Sequence, residues 1–496
     1  MEQVQQLKQK QKRGLVLASI MLAMFLAAIE ATIVSTAMPS IVADLGGFSL
    51  YSWVFSAYLL TNAATVLLFG RLADIVGRKP IFLIGISLFL TGSTMAALSQ
   101  TMLFLIAARL VQGLGAGALM PIATTIVGDL YTKEERAKIQ GYLSSVWGIS
   151  AVSGPLLGGF FVDMLSWPYV FWMNIPLGLL AIIGIVLFFK EERVQEKQSV
   201  DLVGSLLTMV AVSLSMLILV EGGVGIPWLS REMGILLILA ASSFIIFFFH
   251  EKKANSPMMP FEIWRVRAIK YANLTSLTSG MILIGVSSYL PAFVQGVMEK
   301  SATVAGFTLT TMSIGWPIAS TLAGRLILRI GFRTTSILGG ISLIAGGGIF
   351  SLLSPERGPV FAAIGSLFIG IGMGLSTTSF IVSIQNAVQW EMRGIATATN
   401  MFMRTLGSAI GAALLGGLLN NRIQAALNES HLNDQFTVDS TNLLLNKESR
   451  SELSEQALHV LKEGLTSGLQ LVYIGLLVLA IISLILILQL PKGNKT

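Results

Sequence analysis

Long apolar stretches recur along the whole chain and constrain its fold more than any other feature. Each is long enough to cross a hydrocarbon core of about 30 Å. The 496 residues are 54% hydrophobic and only 12% charged, whereas soluble domains carry about 25% charged residues. Backbone groups find no water in a bilayer, so continuous apolar runs predict helices, and a barrel would alternate over shorter segments. The sequence therefore predicts an all-α polytopic membrane protein.

Length and apolarity predict 14 transmembrane helices. The basic leader 1–13 runs directly into the first of them, which lacks the short apolar core of a cleavable signal peptide. We therefore expect that helix to be retained. The predicted spans are 14–38, 50–70, 80–99, 103–125, 139–162, 168–189, 200–220, 233–249, 271–295, 303–325, 336–353, 359–383, 395–419 and 468–490.

Lys and Arg concentrate in alternate loops, for example at Arg78, Lys79, Arg136 and Arg333. The positive-inside rule then predicts a multi-pass protein of the plasma membrane with both termini in the cytoplasm. The net charge of +7 is read as this orientation signal, so we expect no nucleic-acid partner. The chain has no cysteine, which excludes disulfides and thiolate metal sites.

A weak internal repeat indicates two related halves. GRLADIVGRK at 70–79 and GRLILRIGFR at 324–333 share their first three residues and the spacing to the next glycine. Secondary transporters are often built from such repeats, with substrate between the halves; chance recurrence in a glycine-rich chain is the alternative. The predicted division is a cytoplasmic leader 1–13, an N-terminal six-helix bundle 14–190, an inserted helix pair with flanking loops 191–267, a C-terminal six-helix bundle 268–490 that includes a long outer loop 420–467, and a cytoplasmic tail 491–496.

Two charged residues lie deep inside predicted spans of the N-terminal six-helix bundle, Glu30 in FLAAIEATIVSTAMP (25–39) and Arg109 in the fourth span. A charge at the bilayer centre costs about 3 kcal/mol even on the gentler insertion scale, so each needs a partner or a polar cavity. We expect Glu30 to face a central cavity, where a proton and a cationic or zwitterionic compound compete for it. The alternatives are a structural ion pair for Glu30 and backbone carbonyl contacts for Arg109.

Two motifs resemble signatures of the major facilitator superfamily. GRLADIVGRKP at 70–80 resembles Gly-x-Leu-Ala-Asp-x-x-Gly-Arg-Lys, and RLVQGLGAG at 109–117 resembles Arg-x-x-Gln-Gly-x-Gly-x-Gly/Ala. The second resemblance implies that Arg109 assists proton transfer. The first implies a cytoplasmic latch between the two halves, formed by Gly70, Asp74, Gly77, Arg78 and Lys79.

GISAVSGPLLGG at 148–159 is similar to the fifth-helix antiporter signature of exporters in that family. A Gly-Pro step inside a helix invites a kink, and the glycines around it predict a close packing face. The signature residues here are Gly148, Gly154, Pro155, Gly158 and Gly159.

Two more segments resemble the fourteen-helix drug:proton antiporter branch, WPYVFWMNIPLG (167–178) and RGIATATNMFMRTLGSAIG (393–411), so the resemblance covers essentially the whole chain. The branch has Asp-x-Thr-Ile-Val in its first helix. Here the segment reads Glu30-Ala-Thr32-Ile33-Val34, with Glu in place of Asp.

The resemblance implies a proton-coupled exporter of lipophilic toxic compounds that works by alternating access, with Glu30 as the coupling carboxylate. The proton gradient would drive it without a cofactor or metal, and its partners would be drugs, protons and lipid; we expect a monomer. A narrower cargo, such as tetracycline, an amphiphile, a lipid precursor or sodium, is the alternative. Candidate cavity contacts, each with packing as the alternative, are Trp53, Tyr58, Gln112, Trp147, Asn174, Trp316, Asn400, Phe402 and Arg404.

Other classes of protein find less support. A membrane enzyme would need a cluster of His, Asp or Ser at one membrane face, and an ATP-driven pump would need a Gly-x-x-x-x-Gly-Lys-Ser/Thr phosphate loop; the sequence shows neither. The Gly-Pro helix and the intramembrane acid argue against a passive channel. In the outer loop 420–467, apolar spacing at Leu453, Ala457, Val460 and Leu461 predicts a short amphipathic helix in a packed hairpin.

Overall fold

A computed structural model shows the chain to be helical throughout the residues that it describes, which are 2–131, 133–191, 202–222, 226–253, 261–389, 392–430, 435–445 and 447–491. Short 3-10 turns and one π-helical turn, Phe293–Val297, join the α-helices. The α-helices are α1 Glu2–Leu45, α2 Tyr51–Val76, α3 Arg78–Ala97, α4 Met102–Leu130, α5 Lys133–Met164, α6 Tyr169–Trp172, α7 Asn174–Phe188, α8 Leu202–Glu221, α9 Arg231–Lys253, α10 Arg267–Ala292, α11 Ala302–Ser351, α12 Gly358–Asn386, α13 Arg393–Glu429, α14 Lys447–Ser451 and α15 Glu455–Leu488.

Within the described part of the chain, 12 helical segments are long and apolar enough to cross a membrane, which confirms the polytopic all-α class. Two differences separate this number from the predicted 14. The predicted spans 303–325 and 336–353 lie in one element, α11, which is interrupted only at Gly331. The apolar part of α8, Leu206–Glu221, is shorter than a typical span. The count of 14 stays a prediction.

Several helices extend past the predicted membrane boundaries. The leader 1–13 is not separate, because α1 already begins at Glu2. In the predicted outer loop, residues 420–429 continue α13, and the predicted amphipathic stretch forms the first turns of α15. The extensions of α13 and α15 are stabilised by packing rather than by lipid, since Leu427 of α13 and Leu461 of α15 are buried in one apolar core.

Glycines bring α4 close to both α2 and α3. A Cβ on Gly113 would overlap the carbonyl oxygen of Tyr58 in α2, and one on Gly115 would overlap the backbone of Phe89 in α3. Such close backbone approach is how helices associate in lipid, where hydrophobic force between them is missing. The glycines therefore hold α4, which carries Arg109, between two neighbouring helices.

Helices α5 and α11 meet at their predicted outer ends. A Cβ on Gly159 of α5 would overlap Thr303 of α11. The carboxylate of Asp163 accepts hydrogen bonds from the backbone N–H groups of Ala302 (3.3 Å) and Thr303 (2.9 Å) and from the Thr303 hydroxyl. We call the Asp163–Thr303 interaction the outer contact.

Trp147 lies on the same helix as Asp163, toward the predicted inner side, and is 44% exposed.

A second junction lies between α2 and α13. The Ser56 hydroxyl donates to the carbonyl oxygen of Ala409 at 3.5 Å, and Ala63 packs against Phe402 and Met403. Helix α8 lies beside this junction, since its buried apolar residues share a cluster with Leu60 and Ala409. The C-terminal helices also contact the N-terminal ones at a third place, where the Tyr51 hydroxyl donates to the carbonyl oxygen of Ser288 at 2.6 Å and Nε2 of Gln295 donates to the carbonyl oxygen of Thr36 at 3.0 Å.

The second glycine of each repeat sits at a helix junction with backbone angles that other residues avoid. Gly77 has φ 114° and ψ 150°, and Gly331 has φ 81° and ψ 161°. This region of φ/ψ space is essentially restricted to glycine. The repeated motif is therefore explained by a repeated turn.

We predict that Gly331→Ala destabilises the protein by about 1–3 kcal/mol, because alanine strains these backbone angles. Gly324→Ala is the matched control: it lies in the helical part of α11, and its new Cβ would meet nothing within 4 Å. That control should be neutral or gain up to about 1 kcal/mol. The midpoint of thermal unfolding in detergent measures both, and equal midpoints for the two variants would contradict the assignment of a turn at Gly331.

Candidate functional site

The two intramembrane charges of the N-terminal helices pair with each other. Nη1 of Arg109 on α4 donates to Oε1 of Glu30 on α1, and Glu30 is 0% and Arg109 1% exposed. The guanidinium also donates from Nη1 to Oε1 of Gln112 at 2.6 Å and from Nε to the carbonyl oxygen of Val54 at 3.2 Å. The ion pair is therefore enclosed by protein and solvated by protein groups.

The second carboxylate oxygen of Glu30 is also occupied. Nδ2 of Asn174, the first residue of α7, donates to Glu30 Oε2 at 2.9 Å and to the Ser93 hydroxyl of α3 at 2.8 Å. The Arg109 guanidinium carbon lies 4.2 Å from the ring centroid of Tyr58 on α2, a cation–π contact. We call Glu30, Tyr58, Ser93, Arg109, Gln112 and Asn174 the buried charge cluster; it joins α1, α2, α3, α4 and α7.

This geometry differs in part from what the sequence led us to expect. Tyr58, Gln112 and Asn174, predicted as cavity contacts, surround the ion pair instead. Glu30 is enclosed at the α1–α4 interface rather than facing a cavity, because Arg109 and Asn174 occupy both of its oxygens. Ser93 could not be identified from the sequence, since a lone serine in an apolar helix gives no sign of its partner. The transport roles of these residues stay predictions.

The remaining predicted cavity residues are dispersed. Trp53 packs against the apolar cluster beside α8 and α13, and Trp147 is exposed on α5. Asn400 donates to Asn273 and Ser276 of α10 at 3.0 and 2.8 Å.

Three more predicted cavity residues lie on the C-terminal helices, like Asn400, and contact neighbouring helices. Phe402 packs against Ala63 of α2. Arg404 of α13 has its guanidinium carbon 5.8 Å from the ring centroid of Trp316 on α11.

The loop between α2 and α3 is anchored to neighbouring helices of the N-terminal half. Arg78 forms an ion pair with Asp129 at the end of α4. The carboxylate of Glu191 accepts from the backbone N–H groups of Arg78 and Lys79, so it caps the beginning of α3.

Lys79 completes this arrangement by donating from Nζ to the carbonyl oxygen of Phe189 at 2.6 Å. Of the other predicted latch residues, Gly70 packs against no neighbouring element, since a Cβ there would meet nothing within 4 Å. The side chain of Asp74 lies outside the described residues. The latch function stays a prediction.

The Gly-Pro segment of α5 lies where α1 and α11 cross it. Positions Gly154 and Gly158 leave no room for a Cβ because Thr32 and Ile33 of α1 lie against them. Gly148 does not belong to the close packing face that the sequence predicted, since a Cβ there would meet nothing within 4 Å. Its position on the predicted inner half of α5, away from the outer contact, explains the difference.

The carbonyl oxygen of Pro155 lies against Gly306 of α11, and Gly159 lies against Thr303 of the same helix. Helix α5 stays continuous through Pro155, from Lys133 to Met164. The Gly-Pro segment is thus a junction between the N-terminal and C-terminal helices.

A helical protein with many membrane-crossing segments and a buried Glu30–Arg109 ion pair in its interior belongs to the class of polytopic membrane proteins with a polar core. Its family follows from similarity to known proteins. Residues 20–412 match the sequence family described as the Major Facilitator Superfamily, and the chain belongs to this family. It is therefore a multi-pass membrane transporter of small molecules and not an enzyme.

Two relatives come from Bacillus subtilis (strain 168). The chain is 33% identical over 487 residues to "Multidrug resistance protein 3", covering 97% of this chain and 95% of that protein. It is 33% identical over 411 residues to "Multidrug transporter protein MdtP", covering 83% and 76%. The fold matches that of a bacterial homologue of the human lysosomal transporter Spinster, with a TM-score of 0.69 at 15% identity and 96% coverage of each chain.

We predict strong energetic coupling between Glu30 and Arg109. Glu30→Gln or Arg109→Gln alone should cost about 3–5 kcal/mol of unfolding free energy, because each leaves its partner buried and unpaired. The double variant should lose about 2–3 kcal/mol less than the sum of the two. Titration with a denaturing detergent measures these free energies.

The matched control for this cycle is the exposed ion pair between Arg422 and Glu429 at 3.3 Å. Its coupling should stay below about 1 kcal/mol because water screens it. Additive effects of Glu30→Gln and Arg109→Gln would show that the buried pair contributes no more than the exposed one.

Proposed function

We propose that this transporter is a proton-coupled exporter of lipophilic, cationic or zwitterionic toxic compounds, and that Glu30 couples the proton to the cargo. The observation that carries the proposal is the buried charge cluster, since an intramembrane acid with a cationic partner marks a proton or substrate pathway in transporters. The names of the two Bacillus relatives, a multidrug resistance protein and a multidrug transporter, support drug export as the activity.

Protonation of Glu30 changes the cluster in a specific way. A neutral carboxyl no longer balances the charge of Arg109, whose remaining acceptors are Gln112 and the Val54 carbonyl. A cationic cargo that replaced Arg109 as the partner of Glu30 would need the same carboxylate in its charged form. Proton and cationic group therefore exclude one another at Glu30, and an inward proton gradient drives the cargo outward.

Alternating access needs a junction that can break, and the outer contact fits this requirement. It joins α5 to α11 through one carboxylate at the protein surface. The described contacts between the halves reach from the predicted outer side to the middle of the membrane, whereas the inner half of α5 exposes Trp147. This supports a resting arrangement that is closed outside and open inside.

The predicted architecture belongs to the same proposal: two six-helix bundles, an inserted pair and both termini in the cytoplasm. The turn at Gly331 divides α11 into two segments, each long enough for a span. Helices α8 and α9 pack together and α8 lies beside the α2–α13 junction, which is consistent with an added pair outside the bundles. Counting both raises the 12 spans to the expected 14.

We predict that Glu30→Gln abolishes proton-driven export because the amide cannot release a proton. Ethidium movement in proteoliposomes with an imposed pH gradient measures this, and a protonophore should stop the wild type. Glu30→Asp should retain export, since it keeps an acid there. Glu356→Gln, in a short loop between α11 and α12, is the control and should behave as wild type. Full proton-driven export by Glu30→Gln would exclude the coupling role.

We also predict that covalent closure of the outer contact stops transport. The chain has no native cysteine, so Asp163→Cys with Thr303→Cys introduces the only thiols. Oxidation should link α5 to α11 and abolish export, and reduction should restore it. Thr303→Cys alone is the control and should not respond to oxidant. Undiminished export by the fully cross-linked protein, verified by mass spectrometry, would rule out outer opening at this contact.

A further inference from the structure

Away from the ends of the predicted spans, the charges inside them do not balance. The N-terminal half contributes Glu30 and Arg109, which neutralise each other. The C-terminal half contributes Arg404. The acids between residues 268 and 430 are Glu299, Glu356, Glu391 and Glu429, and all of them lie outside the predicted spans. One intramembrane cation therefore has no intramembrane acid left to balance it.

Arg404 lies deep in the membrane. Its neighbour in α13, Phe402, packs against Ala63, and Ala63 lies near the middle of α2, which runs from Tyr51 to Val76. A cation at that depth is stable only with a partner or beside a polar cavity. Among the residues that the structure describes, no carboxylate forms an ion pair with Arg404; its contact is the cation–π interaction with Trp316 at 5.8 Å.

The contact between Arg404 and Trp316 joins the two C-terminal helices that also meet the N-terminal half. Helix α13 contacts α2, and α11 contacts α5. The backbone carbonyl of Arg404 lies against Gly280 of α10, so the residue is on the side of α13 that packs on the C-terminal helices. Arg404 is only half-buried there, and its described side-chain contact is with Trp316.

We propose that Arg404 and Trp316 form a subsite that binds the carboxylate of an amphoteric aromatic compound. The planar guanidinium can bind a carboxylate through two parallel hydrogen bonds, and the indole ring offers an apolar face on which an aromatic cargo stacks. This inference rests on the proposed export function and narrows its cargo. Glu30 is already occupied by Arg109 and Asn174, so the charge left open to a ligand is positive.

Rhodamine 110 and rhodamine 123 test the subsite because they share one ring system. Rhodamine 110 carries a free carboxylate, and rhodamine 123 is its methyl ester. We expect purified wild-type protein to bind rhodamine 110 more tightly. Arg404→Gln should lower the affinity for rhodamine 110 by about tenfold or more, because a charged hydrogen bond usually contributes that much. The affinity for rhodamine 123 should stay unchanged. Fluorescence anisotropy in nanodiscs without a gradient measures both affinities.

Two further variants separate the roles of charge and ring. Arg404→Lys, which keeps the charge, should retain part of the preference for rhodamine 110 and guards against misfolding of Arg404→Gln. Trp316→Leu should weaken both dyes alike because it removes the stacking surface. Arg422→Gln makes the same charge change near the far end of α13 and should alter neither affinity.

Equal wild-type affinities for the two dyes, binding of neither, or equal loss of both in Arg404→Gln would each overturn the subsite. Binding is measured without transport, so this result is independent of the export assay. Preferential binding of rhodamine 110 by a protein that fails to export would uphold the subsite and reject the proposed function.

Discussion

The ion pair between Glu30 and Arg109 determines how the N-terminal helices can be arranged, because neither charge is stable alone in an apolar interior. Each unpaired charge would cost several kcal/mol. Further hydrogen bonds surround the pair: Asn174 of α7 donates to Glu30 and to Ser93 of α3, and Arg109 donates to the Val54 carbonyl of α2. Five helices therefore converge on one point. The glycines of α4 allow the backbones to approach closely enough for these contacts to form.

The outer contact has the opposite character. Asp163 lies at a surface where water can replace Thr303 as its partner, so the interaction contributes at most about 1 kcal/mol. Interactions within the N-terminal half are thus strong and enclosed, while this interaction between halves is weak and accessible. Separation of the halves at the outer side must also break buried contacts of α1 and α2 with α10, such as the hydrogen bond from Tyr51 to Ser288, but it leaves the buried charge cluster within one half. Alternating access requires this combination of rigid bundles and a breakable junction.

The features that follow from lipid as a solvent could be predicted from the sequence. Apolar length identified the helices, and the rarity of charge in the spans identified Glu30 and Arg109 as residues that need partners. The identity of those partners could not be predicted. A polar residue in an apolar helix indicates that a hydrogen-bond or ion-pair partner is required, but not which helix supplies it. Asn174 and Gln112 were therefore expected in a cavity, and Ser93 not at all. The helix boundaries also differed from the predicted ones. Helices α13 and α15 continue beyond the predicted spans, where Leu427 and Leu461 pack in a buried apolar core.

The open charge at Arg404 also bears on the direction of coupling. Protonation of Glu30 adds one positive charge to the protein interior, which strengthens the binding of a simple anion at Arg404. By linkage, that anion would favour proton binding in turn, so both would travel together. An amphoteric compound behaves differently, because its cationic group competes with the proton for Glu30 while its carboxylate stays bound to Arg404. Exchange of cargo for proton therefore depends on the positive group, which competes with the proton for Glu30, while a negative group on the cargo adds an anchor at Arg404.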